Sequence, residues 1–141
     1  MTQDDETRAR IAAKIDSQAY GPFSKAMGFR ELSYGEGRAI VELDVEPRVQ
    51  NTAGTLHGGA IATIVDHAGT VAVMTADREG RPGVTTDLNA SYFAPAPGGS
   101  TVVAEALVLK AGKTLAFVTV DIRRKEDGVL VAQGRMTKAM R

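Results

Sequence analysis

His57-Gly58-Gly59-Ala60-Ile61-Ala62-Thr63-Ile64-Val65-Asp66-His67-Ala68-Gly69-Thr70-Val71-Ala72-Val73-Met74-Thr75-Ala76 reads as one long helix. With side chains advancing 100° per residue, Ile61, Ile64, Val65, Ala68, Val71 and Ala72 fall on one face, an apolar stripe suited to a sheet. The opposite face holds Gly59, Ala62, Thr63, Asp66, Thr70 and Val73, with Gly69 at its margin. A solvent-facing helix carries Lys, Glu and Arg there, yet Asp66 is the only Asp, Glu, Lys or Arg between His57 and Ala76. Both faces therefore read as buried, the second against a neighbour that approaches closely.

Outward from this helix the period changes. Val84–Phe93, Thr101–Leu109, Thr114–Arg123 and Val129–Thr137 are strand candidates, with turns at Ala111-Gly112 and Glu126-Asp127-Gly128. Upstream lies a loop, Pro47 to Thr55, preceded by two extended runs between Gly28 and Val45 around Gly35-Glu36-Gly37; Ala39–Val45 partly alternates. Asp5 to Ala19 forms a short helix, acidic at its start, with Ile11 and Ile15 four apart and Gly21-Pro22 as its stop. Helix, two strands, long helix, four strands is the order of an antiparallel α+β sheet, not a doubly wound one.

The chain has 141 residues, which fits one domain, 1–141, with residues 1–20 as a helical extension. Hydrophobic residues make up 43% and charged residues 24%, the balance of a folded chain. Seventeen Lys and Arg against seventeen Asp and Glu leave zero net charge, which argues against a nucleic-acid partner. The absence of Cys excludes disulfides, thiol catalysis and thiolate metal sites, and two histidines are too few for an imidazole-rich metal centre. No metal is expected. Met1-Thr2-Gln3-Asp4-Asp5-Glu6 lacks the pattern of a secretory signal, and no uncharged apolar run approaches ~20 residues, so a soluble cytoplasmic protein without a membrane partner is expected. With no Trp and 5% aromatics, the core must come from Val, Ala, Leu and Ile, and gains from burial against another subunit.

The helix begins in Asn51-Thr52-Ala53-Gly54-Thr55-Leu56-His57-Gly58-Gly59, a polar, Gly-containing segment. Glycines at a first turn leave the free N–H groups open to a ligand, at the positive end of the helix dipole where developing negative charge is stabilised. Asp66 lies seven to eight residues further on, roughly 10–12 Å along the axis at 1.5 Å per residue. A bound acyl group spans part of that gap; the loop curling back, or an Asp66 supplied by a second chain, closes the rest. A symmetric dimer that sets the helix start of one subunit against the carboxylate of the other is favoured, because the small-residue face already asks for a partner. Taken singly, each residue has an ordinary structural reading. Gly58-Gly59 starts a helix tightly, His57 caps it, and Asp66 is a surface acid or half of a buried pair with His67 or an arginine. His67 lies well around the helix from Asp66 and reads as structural.

Asn51-x-x-Gly54-x-Leu56-His57-Gly58-Gly59 followed by Asp66 resembles the PaaI-type hotdog-fold acyl-CoA thioesterases, which include the bacterial phenylacetyl-CoA thioesterase and the animal acyl-CoA thioesterase thirteen group. The similarity runs from about Gly28 to Lys138, through Gly83–Asn89, Tyr92 with Pro95, Gly112–Phe117 and Ala132–Arg135. It implies an antiparallel sheet wrapped around one long helix. It implies that the Gly58 amide polarises a thioester carbonyl, helped by the Asn51 side chain, with His57 supporting the loop. Asp66 of the opposing subunit would act as general base for water, or attack directly to give an anhydride, and Thr85 would hold the water. Thr85 is expected on one strand face with Asp87 and Asn89, a polar lining. Coenzyme A, part of the substrate rather than a cofactor, would pass Gly59, Tyr92, Phe93 and Pro95 and the turn carrying Lys110, Lys113 and Thr114. Lys110, Lys113 and Lys138 are candidate phosphate contacts, or equally solvated lysines at strand ends. A homodimer with shared sites, assembled as a dimer of dimers, follows from the resemblance.

The activity so implied is hydrolysis of a phenylacetyl-CoA-like or medium- to long-chain acyl-CoA to a carboxylic acid and coenzyme A. Asp at position 66 leans toward those substrates; pocket depth would be set by Tyr20, Phe23 and Met27. The alternatives are an acyl-CoA-binding or sensing module without turnover, and a hotdog dehydratase or hydratase, whose His-plus-acid constellation nothing in this chain matches.

Overall fold

The computed structural model describes residues 2–18 and 21–141. It contains α1 (Gln3–Gln18), α2 (Pro22–Met27), β1 (Arg30–Gly35), β2 (Arg38–Asp44), a 3-10 turn (Pro47–Val49), α3 (Gly58–Ala76), β3 (Val84–Tyr92), β4 (Thr101–Ala111), β5 (Leu115–Arg124) and β6 (Leu130–Ala139). The strands form one antiparallel sheet in the order β1-β2-β4-β5-β6-β3, and α3 touches all six. This is the hotdog fold expected from the sequence.

The sheet closes on α3 because its inward-facing positions are small or β-branched. Ala104 and Ala106 of β4, Ala116, Val118 and Val120 of β5, and Ala132 of β6 are fully buried under Ile64, Val65, Ala68 and Val71 of the helix. The closest approach is at Gly134 of β6, where a Cβ would lie 2.5 Å from Val65 Cγ2 and 3.1 Å from Val65 Cβ. Gly69 also faces the sheet; a Cβ there would lie 2.5 Å from Met136 Cε. Val73, at 1% exposure, joins the same core. These two residues therefore leave the small-residue face to which periodicity assigned them. The sheet curls far enough around α3 to cover its flanks, and of the small-residue face only Gly59, Ala62, Thr63, Asp66 and Thr70 stay half-buried or exposed.

Gly58–Ala76 is apolar and long enough to cross a bilayer, contrary to the expectation from uncharged runs alone. Its apolar character is accounted for by burial: 61% of that stretch lies inside the chain. At the N-terminus, Gly21-Pro22 starts a second helix, with Gly21 as its N-cap. Proline takes the first position of α2, where its missing N–H costs nothing, and Gly28 closes α2 at φ 84°. Ile11 and Ile15 of α1 are buried, and Lys14 and Arg10 donate to the Glu79 and Arg78 carbonyls just beyond α3.

Gly134→Ala is expected to lower stability by about 1–3 kcal/mol in urea melts, because the branched Val65 cannot yield. Gly69→Ala should be near neutral, since the flexible end of Met136 swings aside and alanine favours a helix interior by about 1 kcal/mol. Equal losses at the two positions would contradict this packing.

Candidate active site

The loop entering α3 is tied by its own side chains. Asn51 Oδ1 accepts from the amides of Ala53 (3.0 Å) and Thr55 (3.1 Å), and its Nδ2 donates to Thr55 Oγ1 (2.9 Å). The Leu56 and His57 amides donate to the Ala96 and Val49 carbonyls. His57 is the N-cap, and its Nδ1 accepts from the Gly59 amide at 2.8 Å. That cap explains the second glycine: a Cβ at residue 59 would stand 3.1 Å from Nδ1. Tyr92, from the far end of β3, donates its hydroxyl to the Gly58 carbonyl at 3.1 Å. With Gly59 capped, the Gly58 amide has no acceptor among the described residues, and it sits at the positive end of a 19-residue helix. Asn51 Nδ2, with one hydrogen given to Thr55 Oγ1, retains a second.

The second cluster lies two turns along. Asp66 and Thr70 share a hollow of about 520 Å³ with Phe23 and Ser24 of α2, Thr85 and Leu88 of β3, and Lys138 of β6. Thr85 Oγ1 donates to Asp66 Oδ1 at 2.7 Å. Lys138 Nζ, on a residue only 4% exposed, donates to Thr70 Oγ1 and Thr85 Oγ1, each at 3.0 Å. Burial pulls the Lys138 ammonium below the usual lysine range, and the Asp66 charge opposes that shift. On the wall of the hollow, the His67 ring stacks on Phe29 at 4.1 Å and its Nε2 bonds Glu31 Oε1, a structural placement.

Several expected placements change. Asp66 is exposed within the single chain rather than buried. Lys138 is buried under Thr85, so it is not a solvated strand-end lysine open to phosphate, whereas Lys110, Lys113 and Thr114 are exposed at the β4–β5 turn. Asp87 does not share a face with Thr85. A β-bulge between Thr85 and Asp87 adds a residue, so Leu88 turns inward opposite Met136, while Asp87 and Asn89 face outward opposite Thr137 and Arg135. Tyr92 holds the helix-entry loop, Phe93 is 57% exposed beside it, and Pro95 lends its carbonyl to Arg124. Of the residues expected to set pocket depth, Phe23 reaches the hollow and Met27 lies in the core; Tyr20 is outside the described residues.

Sequence reasoning does not place Thr70 and Lys138 in this cluster. Thr70 stands one turn after Asp66, and Lys138 continues the inward series Ala132, Gly134, Met136, so a lysine in an apolar phase was the available signal.

The thioesterase superfamily model matches residues 53–131. Human acyl-coenzyme A thioesterase 13 is 47% identical over 117 residues, 82% of this chain and 83% of its own. The chain belongs to the thioesterase superfamily. Zebrafish thioesterase superfamily member 2 superposes with a TM-score of 0.84 at 41% identity, covering 92% of this chain and 94% of its own. The Escherichia coli PaaI protein of the phenylacetic acid degradation operon, at 23% identity, shares the fold with a TM-score of 0.83 over 99% of this chain and 96% of its own.

In this thioesterase, Tyr92→Phe removes one bond to the Gly58 carbonyl, and kcat on an acyl-CoA is expected to fall about 2- to 10-fold, the worth of ~0.5–1.5 kcal/mol. The melting temperature should fall by no more than a few degrees, about what the loss of one such bond costs in stability. An unchanged kcat would remove Tyr92 from the support of this loop.

Proposed function

We propose that this acyl-CoA thioesterase hydrolyses its substrates in sites shared between two copies of the chain. Gly58 and Asn51 of one copy bind the thioester oxygen, and Asp66 of the other activates water. The observation that carries the reading is the separation of the two clusters: Gly58 and Asp66 stand eight residues apart on one rigid helix, about 12 Å along its axis. On this reading, a carbonyl held by the Gly58 amide and a water held by the Asp66 carboxylate span only part of that separation, at about 3 Å per hydrogen bond. A second copy, its helix antiparallel to the first, brings each donor to the other's acid.

β3 supports this pairing. It is an edge of the sheet, and an unpaired edge is normally blunted or covered. Here Val84 at one end and Tyr92 at the other are 46% and 54% exposed. Pairing β3 with its copy would hide this edge and bring the exposed small-residue face of α3 toward the partner. Assembly of two such dimers into a tetramer completes the proposed quaternary state.

In the reaction, the carbonyl oxygen gains charge as water attacks. The Gly58 amide and Asn51 Nδ2 donate to that oxygen, while Asp66 takes the water proton. The tetrahedral intermediate then collapses, breaking the carbon–sulfur bond and releasing the coenzyme A thiolate, which takes up a proton. Direct attack by Asp66, giving a transient anhydride, is the competing route. No cofactor enters either one. Phe23, Ala62 and Leu88 give the hollow an apolar lining suited to a phenylacetyl or medium- to long-chain acyl group. The exposed Lys110, Lys113 and Thr114 flank the proposed coenzyme A path with Phe93, Pro95 and Gly59, and Asp87, facing outward, lies on the outer surface rather than in the hollow.

Hydrolysis of a panel of aromatic, medium-chain and long-chain acyl-CoAs, followed with a thiol-detecting dye, tests the assignment. Asp66→Asn is expected to lower kcat by about 100- to 10,000-fold. Asn51→Ala should cost about 100-fold or more, the worth of an oxyanion donor. Full activity in Asp66→Asn would refute the role of the carboxylate.

A further inference from the structure

We propose that Lys138 is a positioning residue for hydrolysis: its buried ammonium fixes the Thr85 hydroxyl so that Thr85 donates to Asp66 and offers its remaining lone pair to the attacking water. The inference rests on the reading of Asp66 as the base. A threonine hydroxyl has one hydrogen and two lone pairs. Lys138 Nζ, which can only donate, occupies one lone pair at 3.0 Å. Two acceptors then face the hydrogen, Asp66 Oδ1 at 2.7 Å and the weakly accepting Met136 Sδ at 3.6 Å, and the carboxylate wins. The lone pair left over accepts from a water whose other hydrogen points to Asp66. Without Lys138 the hydroxyl is free to turn, and it competes with water for the carboxylate in more than one orientation.

The energetics of Lys138 argue for function over stability. A lysine 4% exposed has given up most of its hydration, yet it forms no ion pair with a carboxylate among the described residues. Its partners are two neutral hydroxyls, and Asp66 is reached only through Thr85. An ammonium buried on such terms costs folding free energy, and replacing it by an apolar chain of equal length is neutral or stabilising. Thr70 Oγ1 supplies the other anchor and aims the Nζ at β3.

The titratable groups lining the hollow are Asp66 and His67 from α3 and Lys138 from β6, with none from α2 or β3; His67 Nε2 is engaged by Glu31 of β1. Lys138 is thus the one resident cation facing Asp66 in the described chain, apart from any charge on His67. Its removal should raise the pH at which kcat is lost on acidification.

The test is a double-mutant cycle of Lys138→Met and Thr85→Val, run beside Asp66→Asn. Lys138→Met is expected to keep or raise the melting temperature, to lower kcat about 10- to 100-fold, to leave KM for acyl-CoA within about 2-fold, and to move the acidic limb of the kcat profile upward. The double variant should be no slower than the worse single one, because Lys138 acts through Thr85. Raised KM with unchanged kcat would make Lys138 a phosphate contact and overturn the proposal, as would fully additive losses. If Lys138→Met does not fold, Thr70→Val takes its place in the cycle under the same criteria. Activity retained in Asp66→Asn defeats the reading of the base, whereas an inactive Asp66→Asn beside an unimpaired Lys138→Met defeats only the role of Lys138.

Discussion

A single rigid helix holds apart the two groups to which the proposed chemistry is assigned. Gly58 opens α3 with an amide that has no acceptor among the described residues, and Asp66 lies two turns further on the same cylinder. Because an α-helix does not bend on the scale of one thioester, the ~12 Å between them is a fixed dimension of the protein. Everything else either builds that helix, keeps its two functional stations open, or supplies what one chain lacks. On the account proposed above, what it lacks is a second copy of itself.

The sheet keeps the stations open by yielding space. Gly134 lets the sheet approach α3 against Val65, so the helix is gripped at its middle while its start and the Asp66 face remain accessible. The bulge in β3 then sorts the strand's polar residues. Thr85 goes inward to Asp66, and Asp87 is turned to the outer surface, away from the hollow. Tyr92 at the far end of the same strand reaches the Gly58 carbonyl. One edge strand thus touches both stations, and in the proposed dimer its pairing with a copy bears directly on catalysis.

The fold was legible because its signals are periodic. The face carrying Ile61, Ile64, Val65 and Ala68 and the four strand candidates after Gly83 are properties of spacing, and the structure bears them out. The entry loop was legible for a local reason, since glycines and a capping histidine act on their own neighbours. What escaped was set by distant parts of the chain. An extra residue in β3 reverses the faces of Asp87 and Asn89, and nothing in Val84–Tyr92 announces it. Lys138 is buried only because its strand faces Thr70 and Thr85, and Val73 and Gly69 are covered only because the sheet curls past the equator of the helix. The family motif covered Asn51, Gly58 and Asp66 but carried no information about what lies beneath Thr85.

The most direct test of a shared site is complementation between two crippled chains. Asp66→Asn and Asn51→Ala chains, each nearly inactive alone, are co-expressed with different tags and the mixed dimer is purified through both. If donor and base come from different copies, one of its two sites unites an intact Asn51 with an intact Asp66, and the mixed dimer regains about half the wild-type kcat per dimer. If both groups act within one copy, neither site is whole, and a mixed dimer as inactive as its parents would contradict the account.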